Sequence, residues 1–115
     1  MEQAGDPNEA LDWTLAVERA GGNADLAADL LEMLRQELPQ RMETVRTAAA
    51  RGDESVLQEE IHRVVGSCRY CGVPALERTA GHLDQRLRRG EPWGQEEVDA
   101  VVQAAEALKT ACPPD

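Results

Sequence analysis

Residues 54–72 read ESVLQEEIHRVVGSCRYCG, and the spacing of their apolar side chains predicts an amphipathic helix over 54–71 that stops near Gly72. At about 100° per residue, the apolar side chains gather on one side of this helix and His62 falls away from them. Gly66 follows His62 by one turn. The histidine ring is therefore expected to face solvent beside bare backbone. The inner side consists of Leu57, Ile61, Val64, Cys68 and Cys71.

Gly66 is unusual because a glycine in an exposed helix interior lowers stability by about 1 kcal/mol relative to alanine. Nothing in the neighbouring pattern predicts a helix end there, so the glycine points to the close approach of another molecule. A neutral imidazole is nucleophilic near neutral pH. His62 and Gly66 together are therefore typical of a nucleophile that a bulky partner docks against.

Length and charge limit the classes of function open to this chain. Its 115 residues suffice for one domain with an ordinary core. The 22 acidic and 12 basic residues give a formal net charge of −10, which argues against binding to a nucleic-acid backbone. No apolar run approaches the roughly 20 residues of a transmembrane helix, and no signal-peptide pattern is present. We therefore expect a cytoplasmic protein with protein partners, no nucleic acid and no membrane contact.

Apolar periodicity predicts four long helices joined by short loops. Asn23 is a candidate N-cap for the first helix, Asp53 or Ser55 for the second, and Pro74 suits the first turn of the third. Pro39 lies inside the first helix without changing its phase, which predicts a kink. Because loops this short place neighbouring helices antiparallel, the sequence predicts an all-α fold, an up-and-down four-helix bundle. The predicted helices span about 24–51, 54–71, 74–89 and 95–111.

A shorter amphipathic helix is predicted ahead of the bundle, around Trp13 and up to Arg19. At 1.5 Å per residue, a first bundle helix over 24–51 spans roughly 40 Å and its neighbour about 27 Å, so the long helix overhangs. The short helix is expected to pack on that overhang. The predicted domain limits are a disordered start or linker over 1–8, one helical domain over 9–112 and a tail over 113–115.

Motifs of autonomous enzymes are missing from the sequence. There is no phosphate loop of the form GxxxxGKS or GxxxxGKT, no HExxH and no GxSxG. A lone exposed histidine exchanges a group only with a partner that brings the remaining catalytic groups. We therefore expect no independent enzymatic activity, no ATP site and no metal site.

The motif around His62 resembles that of histidine-containing phosphotransfer (HPt) domains. Residues 62–67 read HRVVGS and residues 72–74 read GVP, and the similarity extends over about residues 11–110. It is closest to the C-terminal HPt modules of BarA/GacS-type hybrid sensor histidine kinases. An isolated histidine with a glycine four residues later would be a weak signal, whereas this combination is specific.

The resemblance implies a phosphorelay step in two-component signal transduction. His62 would take a phosphoryl group on Nε2 from the aspartyl phosphate of one receiver domain and pass it to an aspartate of a response regulator. The receiver domains would supply the catalytic aspartates and Mg²⁺, so no cofactor is expected in this chain, which is expected to be a monomer. If the segment belongs to a larger sensor kinase, the parent chain is a kinase.

By the same resemblance, several residues around the histidine are candidates for docking the receiver or stabilising the phosphoryl group. Gly66 would let the receiver approach, and Ser67 belongs to the matched motif. Arg63 matches the basic residue that often follows the histidine of the family, while Arg69 shares the face of His62 by helical phase. Either guanidinium is a candidate to offset phosphoryl charge through charge-assisted hydrogen bonds.

Two positions depart from the family pattern. Many members carry a lysine three residues after the histidine, where this chain has Val65. Some relatives use a glutamine about 22 residues downstream to hydrogen-bond near the histidine. Asp84 stands at that distance, with Gln85 next to it, so Gln85 is a weak candidate for this role.

Two other functions remain as alternatives to the phosphorelay hypothesis. Cys68 and Cys71 form a CxxC that would serve a metal or redox sensor together with His62, although both cysteines fall on the apolar side and packing is the simpler account. A helical adaptor with an incidental histidine is a third reading.

Several other residues have structural accounts. His82 lies at the margin of a predicted apolar stripe and Trp93 is expected to anchor a helix start by packing. Arg86, Arg88 and Arg89 suit the helix dipole at a C-terminus, and contact with an acidic receiver is the alternative.

Overall fold

A computed structural model describes residues 6–113, and the chain forms five helices over that range. The four long helices pack as neighbours in chain order, and the last closes back on the first. This arrangement confirms the predicted all-α four-helix bundle with a short additional helix at its start. The helices are α1 (Trp13–Arg19), α2 (Ala24–Arg51), α3 (Glu54–Cys68), α4 (Pro74–Arg89) and α5 (Gln95–Ala107).

The starts of the helices follow from local side-chain chemistry. The side chain of Asn23 accepts a hydrogen bond from the Leu26 N–H at 3.0 Å and caps α2, as predicted. Asp53, and not Ser55, caps α3. α2 continues through Pro39, and the kink expected there stays a prediction.

Two helices end earlier than their apolar pattern predicts. α3 stops at Cys68 and not at residue 71, because the turn that follows tightens to bonds between residues three apart, such as Cys71 N–H to Cys68 O at 3.1 Å. The chain must then extend before Pro74, which disfavours a helical conformation at the preceding residue. α5 stops at Ala107 and not at 111, and Arg35 Nε donates a hydrogen bond to the Leu108 carbonyl at 2.9 Å. Periodicity does not report such tightened ends.

α1 covers the overhanging first turns of α2 and also closes the turn between α3 and α4. Ala16 and Ala20 pack against Ala27 of α2. Arg19 Nη1 donates to the carbonyls of Cys68 and Cys71 at 3.1 and 2.7 Å. Cys68 is the last residue of α3 and Cys71 lies three residues beyond it, where carbonyls no longer receive the N–H of a following helical turn. The short helix therefore also caps α3.

The segment before α1 is paired to the start of α4. Asp12 N–H donates to Gly72 O at 2.8 Å, and Ala75 N–H donates to Glu9 O at 3.0 Å. Residues 6–8, within the predicted disordered start, form a turn whose Asn8 side chain accepts from Arg78 at 2.7 Å. The remainder of that prediction, and residues 114–115 of the predicted tail, lie outside the described residues.

The core lies between α2, α3, α4 and α5, and removing each large aliphatic side chain from water contributes about 1.5–3 kcal/mol. Leu26 and Met33 keep the helical spacing of the α2 stripe, yet they are exposed because the buried side of α2 is centred on Leu31 and Leu34. Within residues 6–113, no helix has the length and apolarity needed to cross a membrane. The largest fully buried side chains are Leu57, Ile61, Leu76, Leu83, Leu108, Val45, Val64, Val73, Val98, Val101 and Cys68.

Gly72→Ala is expected to lower the free energy of unfolding by about 1–3 kcal/mol. A Cβ at residue 72 would overlap Asp12 O and lie 2.6 Å from Ala16 N, both backbone atoms that cannot move aside cheaply. Urea denaturation followed by circular dichroism measures the change. Gly66→Ala is the control, because its Cβ would meet nothing within 4 Å. That variant should gain about 0.5–1 kcal/mol from helix propensity. Equal stabilities for the two variants would contradict the close packing of Gly72 against the backbone of Asp12 and Ala16.

Candidate functional site

His62 lies on the outer face of α3 with its side chain 63% exposed. Gly66, one turn later, has an ordinary helical backbone, and a Cβ placed on it would meet no other atom of the protein within 4 Å. The bundle therefore does not require a glycine at this position. Packing within the bundle therefore gives no reason for the bare turn beside His62, and the docking role expected of Gly66 stays a prediction.

Asp84 of α4 is the residue that sequence reasoning missed as a partner of His62. Its Oδ1 lies 3.6 Å from His62 Nδ1, slightly beyond hydrogen-bond length, and its side chain is only 5% exposed. Its Oδ2 accepts from Arg88 Nε at 3.1 Å, whereas Oδ1 has no hydrogen-bond partner in the described part of the chain. A buried carboxylate oxygen without a donor is costly, so a donor at His62 Nδ1 is favoured.

This contact selects one form of the imidazole. A carboxylate accepts hydrogen bonds and a neutral imidazole carries one N–H, so the proton is favoured at Nδ1, facing Asp84. The lone pair is then left on Nε2 of a largely exposed ring. Nε2 is therefore the ring nitrogen that is available to an outside partner.

Gln85 does not take part in this arrangement. Its side chain is exposed, and no hydrogen bond of it to another residue is found within 6–113. The preceding residue, Asp84, faces α3 instead, because it is buried on α4 together with Leu83 and Leu87. The signal was present in the sequence, since Asp84 is a lone carboxylate inside an apolar stripe.

The two arginines nominated on α3 differ in position. Arg63 pairs with Glu59, one turn earlier, at 3.5 Å, and both side chains are exposed. Arg69 lies just past the end of α3 and is exposed, with no ion pair inside the described range. Val65 is half-buried against the core and supplies no charge. The structure therefore brings neither arginine into contact with His62.

Ser67 faces away from His62 and towards α2. Its hydroxyl donates to Glu37 Oε2 at 2.9 Å, and Arg41 joins Glu37 and Glu60 with contacts of 2.6 and 2.7 Å. Hydrogen bonds from this guanidinium, first to Glu60 and then to Glu37, raise the pKa of Arg41. In this arrangement Ser67 ties α3 to α2 and does not reach the histidine.

The cysteines are separated from His62 by the helix itself. Cys68 is fully buried on α3, and burial raises the pKa of its thiol to about 12. Cys71 lies beyond the helix end, is also buried, and has its pKa raised mainly by burial. Among the residues that the structure describes, no three His, Cys, Asp or Glu side chains come together as metal ligands. The arrangement offers no thiolate near the histidine.

The remaining nominated residues make local contacts. Arg86 Nε donates to His82 Nε2 at 3.1 Å, and its Nη1 donates to the Pro92 carbonyl at 2.7 Å. Trp93 is half-buried against the core and donates to Glu54 at 2.8 Å. Arg88, by contrast, turns back along α4 to Asp84 and away from the helix end.

A helical bundle that presents a histidine beside a side-chain-free turn defines a class of phosphotransfer modules. The family model described as the Hpt domain matches residues 29–111, and the chain belongs to this family. The predicted resemblance is thereby confirmed. The chain is a phosphorelay module of two-component signal transduction.

Individual relatives agree with this assignment. The chain is 40% identical over 84 residues to the signal transduction histidine-protein kinase BarA of Shigella flexneri. The aligned residues make up 73% of this chain and 9% of BarA. It is 38% identical over 94 residues to sensor protein GacS of Pseudomonas syringae pv. syringae, covering 82% and 10%. The chain thus spans about a tenth of the length of these relatives. The HPT domain crystal structure of a hybrid histidine kinase from Shewanella matches with a TM-score of 0.76 at 29% identity, covering 90% of this chain and 93% of that one.

Asp84→Asn is expected to reverse the tautomer of neutral His62. The amide oxygen must turn to Arg88, so the NH₂ group faces His62 Nδ1 and donates to it, moving the ring proton to Nε2. Two-dimensional ¹⁵N NMR of the imidazole reports which nitrogen carries the proton. Gln85→Ala is the matched control and should keep the wild-type tautomer. A wild-type ring protonated mainly at Nε2 would contradict the role assigned to Asp84.

Native protein is expected to expose one of its three thiols to a thiol reagent at about pH 8. Cys112 is exposed, whereas Cys68 and Cys71 are buried with raised pKa values. Titration in denaturant should reveal all three thiols. Fast reaction of three thiols in the folded protein would reopen the redox reading of the CxxC pair.

Proposed function

We propose that His62 is the residue that carries the phosphoryl group of this relay module. The observation that supports it is an exposed imidazole whose Nδ1 lies 3.6 Å from a buried carboxylate oxygen, one turn from a glycine that the bundle does not require. The donor is the aspartyl phosphate of one receiver domain, and the acceptor is an aspartate of a response regulator.

The phosphoryl transfer requires no proton to be added to or removed from the histidine. The Nε2 lone pair attacks phosphorus, the P–O bond to the receiver aspartate breaks, and that electron pair returns to the aspartate carboxylate. The phosphorylated ring keeps its Nδ1 proton and carries positive charge next to Asp84, which stabilises it. In the second transfer the P–N bond breaks, and its electrons return to Nε2.

The receiver domain brings the rest of the chemistry. Phosphoryl transfer needs cations that stabilise the charge and an in-line arrangement of the reacting atoms. The described surface around His62 offers a nucleophile but no cluster of carboxylates that could bind a metal ion. We therefore assign Mg²⁺ and the aspartates to the receiver. Gly66 lets that domain bring its phosphoryl group within bonding distance of Nε2. The module itself would then not be an autonomous enzyme.

The wider setting is proposed on the same basis. A module of this kind acts in the cytoplasm as a monomer between two receiver domains, either alone or as part of a hybrid sensor kinase. The acidic chain has no basic stripe for nucleic acid. The metal or redox sensor and the passive adaptor are the alternatives that the following experiments distinguish.

His62→Gln is expected to abolish phosphoryl acceptance while leaving stability within about ±0.5 kcal/mol, because the side chain is exposed. Purified protein is incubated with a radiolabelled phospho-receiver domain and Mg²⁺, and the label is tested for acid lability. Acid-labile label on wild type alone supports a phosphohistidine at residue 62. Equal label on the variant would show that another residue carries the phosphoryl group. No label from several receivers would favour the adaptor.

Gly66→Leu is expected to fold but to slow transfer from a receiver by about tenfold or more, since the added side chain fills the docking surface. Gln103→Leu is the matched control, because α5 lies across the bundle and does not contact α3. Phosphoramidate, a small phosphoryl donor, should label both variants at the wild-type rate. Wild-type transfer from the receiver to Gly66→Leu would disprove the close-approach argument.

A further inference from the structure

The contacts that begin at His62 continue through Asp84 to a cation. Arg88 Nε donates to Asp84 Oδ2 at 3.1 Å, while Asp84 Oδ1 lies 3.6 Å from His62 Nδ1. A single carboxylate therefore separates the guanidinium from the imidazole. The two groups lie closer than about 10 Å, the screening length in 0.1 M salt.

Arg88 has hydrogen-bonding capacity left for a ligand. A guanidinium carries five N–H donors, and Arg88 uses only Nε within the described residues. Its side chain is 53% exposed, so a ligand in solvent has access to the guanidinium. The planar group is held at Nε and free at Nη, a geometry suited to phosphoryl oxygens.

The other cations near α3 are less well placed. Arg63 is paired with Glu59 at 3.5 Å and projects about 100° round the helix from His62. Arg69 follows His62 by seven residues, roughly 10 Å along the axis, and lies past the helix end. Neither guanidinium is held by a residue that contacts the histidine.

A phosphoryl group on His62 creates a need for such a cation. It adds a charge of about −1.5 to −2 near neutral pH, beside the buried carboxylate of Asp84. The two negative groups repel each other through a partly dry interface, where screening is weak. A guanidinium that contacts both relieves this repulsion, whereas the helix-dipole role does not explain why Arg88 turns back towards Asp84.

We propose that Arg88 is the cation that stabilises the phosphoryl group on His62, an inference that rests on the proposed function. No bond forms or breaks at Arg88. Its Nη groups donate to phosphoryl oxygens while Nε keeps its bond to Asp84. Arg88 therefore raises the share of phosphoryl that resides on His62 when the module is in equilibrium with a receiver.

The test compares Arg88→Gln with Arg89→Gln, which makes the same change in net charge one residue away, at an exposed position outside the Asp84 contacts. Each protein is equilibrated with one labelled receiver domain, and the ratio of phosphohistidine to phosphoaspartate is measured. Arg88→Gln should lower this ratio about fivefold, the size of one exposed charge contact, and Arg89→Gln should not. Arg88→Lys should lie between wild type and Arg88→Gln.

A second readout needs no receiver. Protein is phosphorylated with phosphoramidate, and ³¹P NMR follows the pH at which the phosphoryl group loses its last proton. This midpoint should rise in Arg88→Gln alone, because a nearby cation favours the fully ionised group. Ratios and midpoints that match between Arg88→Gln and Arg89→Gln, with label still on His62, overturn this inference only. Failure of wild type to take label, or full labelling of His62→Gln, overturns the proposed function itself.

Discussion

The burial of the inner face of α3 between α2 and α4 fixes the position of everything on its outer face. Leu57, Ile61 and Val64 are fully buried, so α3 has no freedom to rotate about its axis. Rotation by one residue would bring a charged side chain into the core, where an unpaired charge is very costly. The exposure of His62 is thus enforced by hydrophobic packing, and the relay surface needs no separate device to present it.

Sequence periodicity predicted this arrangement well wherever a face of a helix was in question. The 3.6-residue pattern placed His62 outside and Cys68 inside, and the N-cap of α2 followed from the chemistry of Asn23 alone. Periodicity reports only the phase of a residue on its own helix. It could not show that Asp84, and not Gln85, meets the histidine, because that depends on how α4 is rotated against α3.

The same limit explains the other differences. Ser67 sits in a matched motif, yet its hydroxyl is used by Glu37, a partner 30 residues away that no local pattern reveals. The turn that ends α3 is bound by the Arg19 side chain of α1 and by the backbone of Asp12, and such contacts arise only in the assembled fold. Helix ends and polar partners are therefore the parts of the site that tertiary packing decides.

The bonds from Arg19 to the carbonyls of Cys68 and Cys71 make the first helix and the α3–α4 turn one cooperative unit. Local opening in proteins occurs in such units, and its free energy is shared by all the contacts that must break together. Fluctuations that release α1 would therefore also loosen the last turn of α3, which contains Gly66. The seven-residue helix that looks peripheral in the fold thus limits how often the surface around Gly66 loses its shape.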